Sequence, residues 1–222
     1  MSNNESFIEE VTEEVRRDRL YALMRRYGWI AVVSVVALVG GTAYNEYRKS
    51  QDAATAQALG DAILQAAQIP DPEGRHDSLA QVEALTEGTA LAPVALLDAS
   101  AQFEAGDISG AIATLEPLTT DPDLPLIYRD IAAFRLVSQG ADAIPADIRA
   151  DLIDRISAPG APLRLLGLEQ SALFELEQGN MDAAVEILQG LVQEEGLTEA
   201  MLQRSAQLLA VLGADASSAI AQ

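Results

Sequence analysis

Cysteine is absent from the 222 residues, histidine occurs once, and aromatic residues make up only 5%. Without a thiol there is no disulfide, no thiolate nucleophile and no iron–sulfur ligand, and thiol usage does not reveal the compartment. A lone His76 cannot build a histidine metal cluster or a two-histidine acid–base arrangement. Basic residues are also scarce: 14 Lys and Arg stand against 34 Asp and Glu, a formal net charge of −20. That balance argues against a nucleic-acid partner, because phosphate backbones are held by clustered Lys and Arg. Alternating β-branched runs are missing, so no strand is expected. What is present is helix-forming: 49% of the chain is hydrophobic, dominated by Ala and Leu. This is enough for a real core at this length and predicts an all-α protein of one or two domains.

The clearest single feature is RRYGWIAVVSVVALVGGTAYNEYRK near the start, with 19 consecutive uncharged residues between Arg26 and Glu46. As a helix they cover about 28 Å, close to a hydrocarbon thickness of about 30 Å. Tyr27 and Trp29 stand at one end and Tyr44 and Tyr47 at the other, where amphipathic rings prefer the interface. The expectation is a transmembrane helix over 27–47, preceded by a leader at 1–26 and followed by an exported domain at 48–222. Arg16, Arg17, Arg19, Arg25 and Arg26 precede the span, whereas only Arg48 and Lys49 follow it closely. The positive-inside bias therefore places the N-terminus in the cytoplasm. A cleaved signal peptide, with Gly41 and Ala43 near the cut, is the rival reading. The 26-residue leader with its six acids does not resemble a short basic n-region, so a retained anchor is expected. Within the leader, Phe7, Ile8, Val11 and Val15, then Leu20, Leu23 and Met24, recur at helical spacing. That pattern reads as an amphipathic helix on the membrane or as a docking helix for a partner. Inside the span, Ser34, Ala37, Gly40 and Gly41 form a small-residue face of the kind that lets membrane helices approach. Ordinary use of small residues in such helices is the plainer account.

Residues 50–222 carry 27 acids and seven basic residues, so the whole net charge of −20 resides there. Punctuation at Pro70–Gly74, Gly88–Pro93, Gly106, Asp121–Pro125, Gly140–Pro145, Pro159–Pro162, Gly179 and Gly196 divides it into eight or nine helices. Gly106, Gly140 and Gly179 are related breaks. Seven residues before each stands an alanine, Ala99, Ala133 and Ala172; three before stand Phe103, Val137 and Leu176. Small residues allow close helix approach and the glycine permits the turn. A period near 34 residues with these features is the signature of tetratricopeptide repeats. GDISGAIATLEPL at 106–118 and GNMDAAVEILQGL at 179–191 match the second-helix pattern, through Ala111 and Leu115 in one and Ala184 and Leu188 in the other. The middle copy departs, its second helix delayed to Pro145, and the stretch 52–87 offers a weaker further pair. Stacked pairs of this kind usually bind peptides or proteins along a concave surface.

No catalytic constellation emerges. His76, in the polar stretch PEGRHDS, is expected to be exposed rather than a general base. No G-x-S-x-G, P-loop or G-x-G-x-x-G occurs. The acids of DPD at 121–123 and Glu194–Glu195 lack EF-hand spacing and read as a turn and a solvated face. No metal, cofactor or enzymatic activity is expected.

The leader SFIEEVTEEVRRDRLYALMRRYGW, the single span and the repeat-like remainder together resemble the ancillary SecYEG translocon subunit family of the YfgM type, in its alphaproteobacterial form. The resemblance covers essentially the whole chain and is tightest in the leader and span. It implies a bacterial inner-membrane protein beside the SecYEG translocon, with a periplasmic domain and a chaperone of peptidyl-prolyl isomerase type as partner. It brings no catalytic residues. A non-enzymatic, membrane-tethered adaptor or chaperone-like accessory of export is the leading expectation. The alternative is a structural accessory subunit of a respiratory or envelope complex.

Overall fold

The computed structural model of the chain describes residues 3–139 and 143–214. Among them it contains nine α-helices, one 3-10 turn and no strand, so the all-α expectation holds. Helix α1 spans Asn3–Ala67 without interruption. Its length follows from the sequence, since no proline precedes Pro70. The chain divides into two units between Ala58 and Leu59.

The first unit is a single helix. Its stretch of apolar residues is long enough to cross a membrane, and the side chains there point outward: Val35 is 59% and Leu38 69% exposed. The leader is helical in backbone, while the side chains of Phe7, Ile8, Val11, Val15, Leu20 and Leu23 lie outside those described.

The second unit begins with the last turns of α1 and continues through α2 (Pro72–Glu83), a 3-10 turn (Gly88–Ala90), α3 (Leu91–Ala105), α4 (Ile108–Thr120) and α5 (Leu126–Val137). It ends with α6 (Ala146–Ser157), α7 (Arg164–Glu177), α8 (Met181–Leu191) and α9 (Glu199–Val211). The breaks fall where punctuation places them, with one refinement: Pro93 lies in the first turn of α3, where its missing N–H costs nothing. Asp71 caps α2 by accepting the Gly74 N–H at 2.8 Å, and Pro72 follows at the first helical position.

Each helix from α2 to α9 packs on the next in sequence, and α3 also touches α5, as α5 touches α7. This is the arrangement of stacked hairpins, with first helices forming one layer. Leu59, Ile63 and Ala66 of α1 join Leu79, Val82 and Val94 in a small cluster at the start of the unit. A larger core runs through α3–α6, and a third cluster joins α7, α8 and α9.

Candidate functional site

The repeat alanines lie where helices cross. Ala99, Ala133 and Ala172 are all fully enclosed, as are Ala111, Ala184, Leu115 and Leu188. A methyl side chain at the crossing leaves room for the facing helix, and the leucine one turn on fills the space behind it. The connections of the first and third pairs are copies of one another. Gly106 and Gly179 both sit in the left-handed region, at φ 83° and 82°. In each turn the following N–H reaches back five residues: Asp107 to Gln102 O and Asn180 to Glu175 O, both at 2.9 Å. Glycine is used here because a β-carbon disfavours this backbone conformation. Gly140, its expected counterpart, lies outside the described residues.

One concavity of the second unit lies along its layer of first helices. A groove of about 570 Å³ is lined by Phe134 of α5, by Leu166, Glu169, Gln170 and Leu173 of α7, and by Arg204, Gln207, Leu208 and Val211 of α9. Its walls are mainly aliphatic, and Val211 is 84% exposed beside it. Glu169 is nearly buried and receives two hydrogen bonds from Arg204, from Nε and Nη2, both at 2.9 Å. That fork ties α9 to α7 and spends the groove's charges on each other, leaving apolar surface and the amides of Gln170 and Gln207.

The same economy applies through the unit. Arg75 pairs with Glu104, Arg149 with Glu177, and Arg164 with Glu194. Arg135 donates to Ser100 Oγ at 2.6 Å, and Arg155 to Thr119 O at 2.8 Å. The mutual hydrogen bonds of Arg164 and Glu194 raise the guanidinium and hold the carboxyl below its ordinary value. With six of its seven arginines held in such contacts, the unit is left with a large excess of carboxylates. These ties are not visible in any one helix, yet they leave a signal in the spacing of their partners. Ser100 to Arg135 and Glu169 to Arg204 are both 35 residues apart, one repeat along the layer.

His76 differs from expectation. It is half-buried on α2, and its Nδ1 lies 2.6 Å from Oδ1 of the buried Asp98 on α3. Gln102 donates to Asp98 Oδ2 at 3.1 Å and accepts from the Thr114 hydroxyl, which extends the network to α4. Burial raises Asp98 above the usual carboxylate range, though the histidine pulls the other way. Burial raises Glu83 too, helped by the like charge of Asp98. The network joins three helices, α2, α3 and α4. The period-2 and period-3.6 signals of α2 do not reveal it, because the partner is supplied by another helix.

In the first unit Ser34, Ala37, Gly40 and Gly41 are exposed, and a β-carbon on Gly40 or Gly41 would meet nothing within 4 Å. The Thr42 hydroxyl bonds back to Leu38 O at 2.9 Å, satisfying itself within the helix.

A family model described as a tetratricopeptide repeat-like domain matches residues 25–144. The match begins within α1, includes the apolar stretch, and continues through α5, so the apolar helix and the first hairpins are embraced together. Neither the curated proteins nor the solved structures include a match to the chain.

Proposed function

The chain belongs to the tetratricopeptide repeat-like domain family, and on that premise we propose that it is a non-enzymatic, membrane-tethered adaptor that binds protein partners. The observation that carries the reading is the family match itself, which joins an exposed apolar helix and stacked hairpins in one module. The α5–α7–α9 groove is the proposed partner site, offering aliphatic walls and amides suited to a peptide backbone. In this reading α1 crosses the bacterial inner membrane with its N-terminus in the cytoplasm, and residues 48–222 are periplasmic. The membrane partner is the SecYEG translocon, and the exported partner is a chaperone of peptidyl-prolyl isomerase type. Five arginines before the span against two basic residues just after it support the orientation. The acidic exterior favours partners with basic surface and makes the encounter salt-sensitive.

The test is recovery from gently solubilised membranes with the tagged full chain. Translocon subunits and the chaperone should appear together at low salt. Leu173→Asp and Val211→Asp in the groove should remove the chaperone and leave the translocon. Replacing residues 27–45 by an unrelated apolar helix should reduce translocon recovery, with Ser34, Ala37, Gly40 and Gly41 the face responsible. A reporter after Gln222 that is active in the cytoplasm refutes the orientation. Stoichiometric recovery of a respiratory or envelope complex without translocon subunits would instead establish the alternative, a structural accessory subunit.

A further inference from the structure

A second cavity, of about 340 Å³, lies in the middle pair and is not part of the groove described above. It is bounded by Ile112 and Glu116 of α4, Leu136 of α5, and Ile148, Asp151 and Leu152 of α6. It arises where the repeat is irregular. The first and third pairs turn on one glycine, whereas residues 138–145 separate α5 from α6. Here Ile144 is turned inward at 8% exposure, α4 and α6 each pack on α5, and Arg155 of α6 reaches the Thr119 carbonyl of α4.

The chemistry of the walls selects the occupant. Aliphatic side chains supply most of the surface, while Glu116 and Asp151 are exposed carboxylates contributed by different helices. Neither enters an ion pair among the described residues. The lining cation, Arg155, is already committed: Nη1 donates to Thr119 O at 2.8 Å, Nη2 to Arg129 O at 3.4 Å, and Nε lies 3.9 Å from the buried Asp130 carboxylate. An anion therefore meets two carboxylates and no free donor group of opposite charge. A cation on an aliphatic stem meets matching surface along its whole length.

We propose that this cavity receives a lysine side chain from a protein partner, its methylenes along Ile112, Ile148 and Leu152 and its ammonium between Glu116 and Asp151. Lysine suits the site better than arginine, because a compact charge can be shared by carboxylates on two helices, whereas a planar fork seeks one carboxylate in its own plane. The volume is near the small end of ligand pockets, which run from about 300 Å³ upward, and fits a short segment rather than a folded element. The site is independent of the α5–α7–α9 groove and of any identity assigned to the membrane partner.

The experiment uses the full chain in lipid nanodiscs, labelled at isoleucine methyls and titrated with acetyl-Ala-Lys-Ala-amide. Ile112, Ile144 and Ile148 should shift saturably, with a Kd on the order of 1 mM for so small a probe. Glu116→Gln and Asp151→Asn should each weaken binding roughly two- to five-fold, the range for exposed ion pairs. Both positions are exposed, and unchanged methyl signals elsewhere will show that the variants remain folded. The peptide carrying norleucine in place of lysine should bind more weakly, and one carrying glutamate should not bind. The proposal is overturned if the lysine peptide gives no saturable shift at these methyls. Equal binding of the norleucine or glutamate peptide overturns it as well, as does undiminished binding to the doubly substituted chain.

Discussion

Gly167 of α7 lies directly against the backbone of Ile156 at the end of α6: a β-carbon placed on it would stand 2.7 Å from the Ile156 carbonyl carbon and oxygen. The Ser157 nitrogen would be 2.6 Å away. These neighbours are main-chain atoms and cannot swing aside, so α6 and α7 approach this closely only because residue 167 has no side chain.

Gly167→Ala is therefore expected to destabilise the fold by about 1–3 kcal/mol, the usual cost of overpacking. Gly190→Ala is the matched control. Gly190 is also helical, in α8, but a β-carbon there meets nothing within 4 Å. That substitution should stabilise by about 0.5–1 kcal/mol, through helix propensity and a less flexible unfolded chain. Urea midpoints of the two variants in detergent should move in opposite directions.

Ala111 and Ala184 occupy equivalent positions in α4 and α8, both fully enclosed. Ala111→Asp and Ala184→Asp should each cost roughly 2–5 kcal/mol, because a carboxylate would be buried without a partner where two helices meet. Thermal unfolding followed by circular dichroism checks this. Wild-type melting temperatures in both would refute the proposed equivalence of the two positions as packing sites.

Arg204→Ala strips the nearly buried Glu169 of both its hydrogen bonds. About 1–3 kcal/mol should be lost, chiefly from stranding the carboxylate. Adding Glu169→Gln should recover part of that loss, since the stranded charge is then gone. A double variant less stable than the sum of the single ones contradicts this account.

Stability should depend on pH in two opposite stages. Burial raises Glu83, Asp98 and Asp130, so the folded chain holds protons there more tightly than the unfolded chain. The groups facing them are His76, Gln102 and each other around Asp98, and Arg155 and Arg129 around Asp130. Their contribution is complete at acid pH and lost as pH rises through the raised values. Asp107 and Glu194 act the other way. The Gly110 N–H and Ser109 hydroxyl hold Asp107 low, and Arg164 holds Glu194 low. Their contribution is present above the ordinary carboxylate range and vanishes as pH falls through the lowered values. Tm should thus rise from pH 8 to about pH 5 and fall again below about pH 4. Asp130→Asn should reduce the rise. A Tm that is flat or falling between pH 8 and 5 contradicts the assignment.

Helical class, the apolar stretch of α1 and the sites of the breaks were legible in the sequence because they depend on local chemistry. Proline placement, runs of uncharged residues and glycines at helix ends act within a few residues of where they stand. The pairing of Ala99 with Gly106 and of Ala172 with Gly179 was legible for a related reason: repetition writes the same tertiary contact into the chain more than once. What lay beyond the sequence were contacts made once, between helices whose relative rotation no local rule sets. His76 read as exposed because α2 alone is polar there, and it became half-buried only when α3 supplied Asp98. The α5–α7–α9 groove needed the positions of three helices before Val211 and Leu173 could share a wall. The cavity bounded by α4, α5 and α6 needed the positions of those three helices before Glu116 and Asp151 could line one space. Local propensity decides which residues form helices; burial and charge pairing between helices decide which of their faces remain open to a partner.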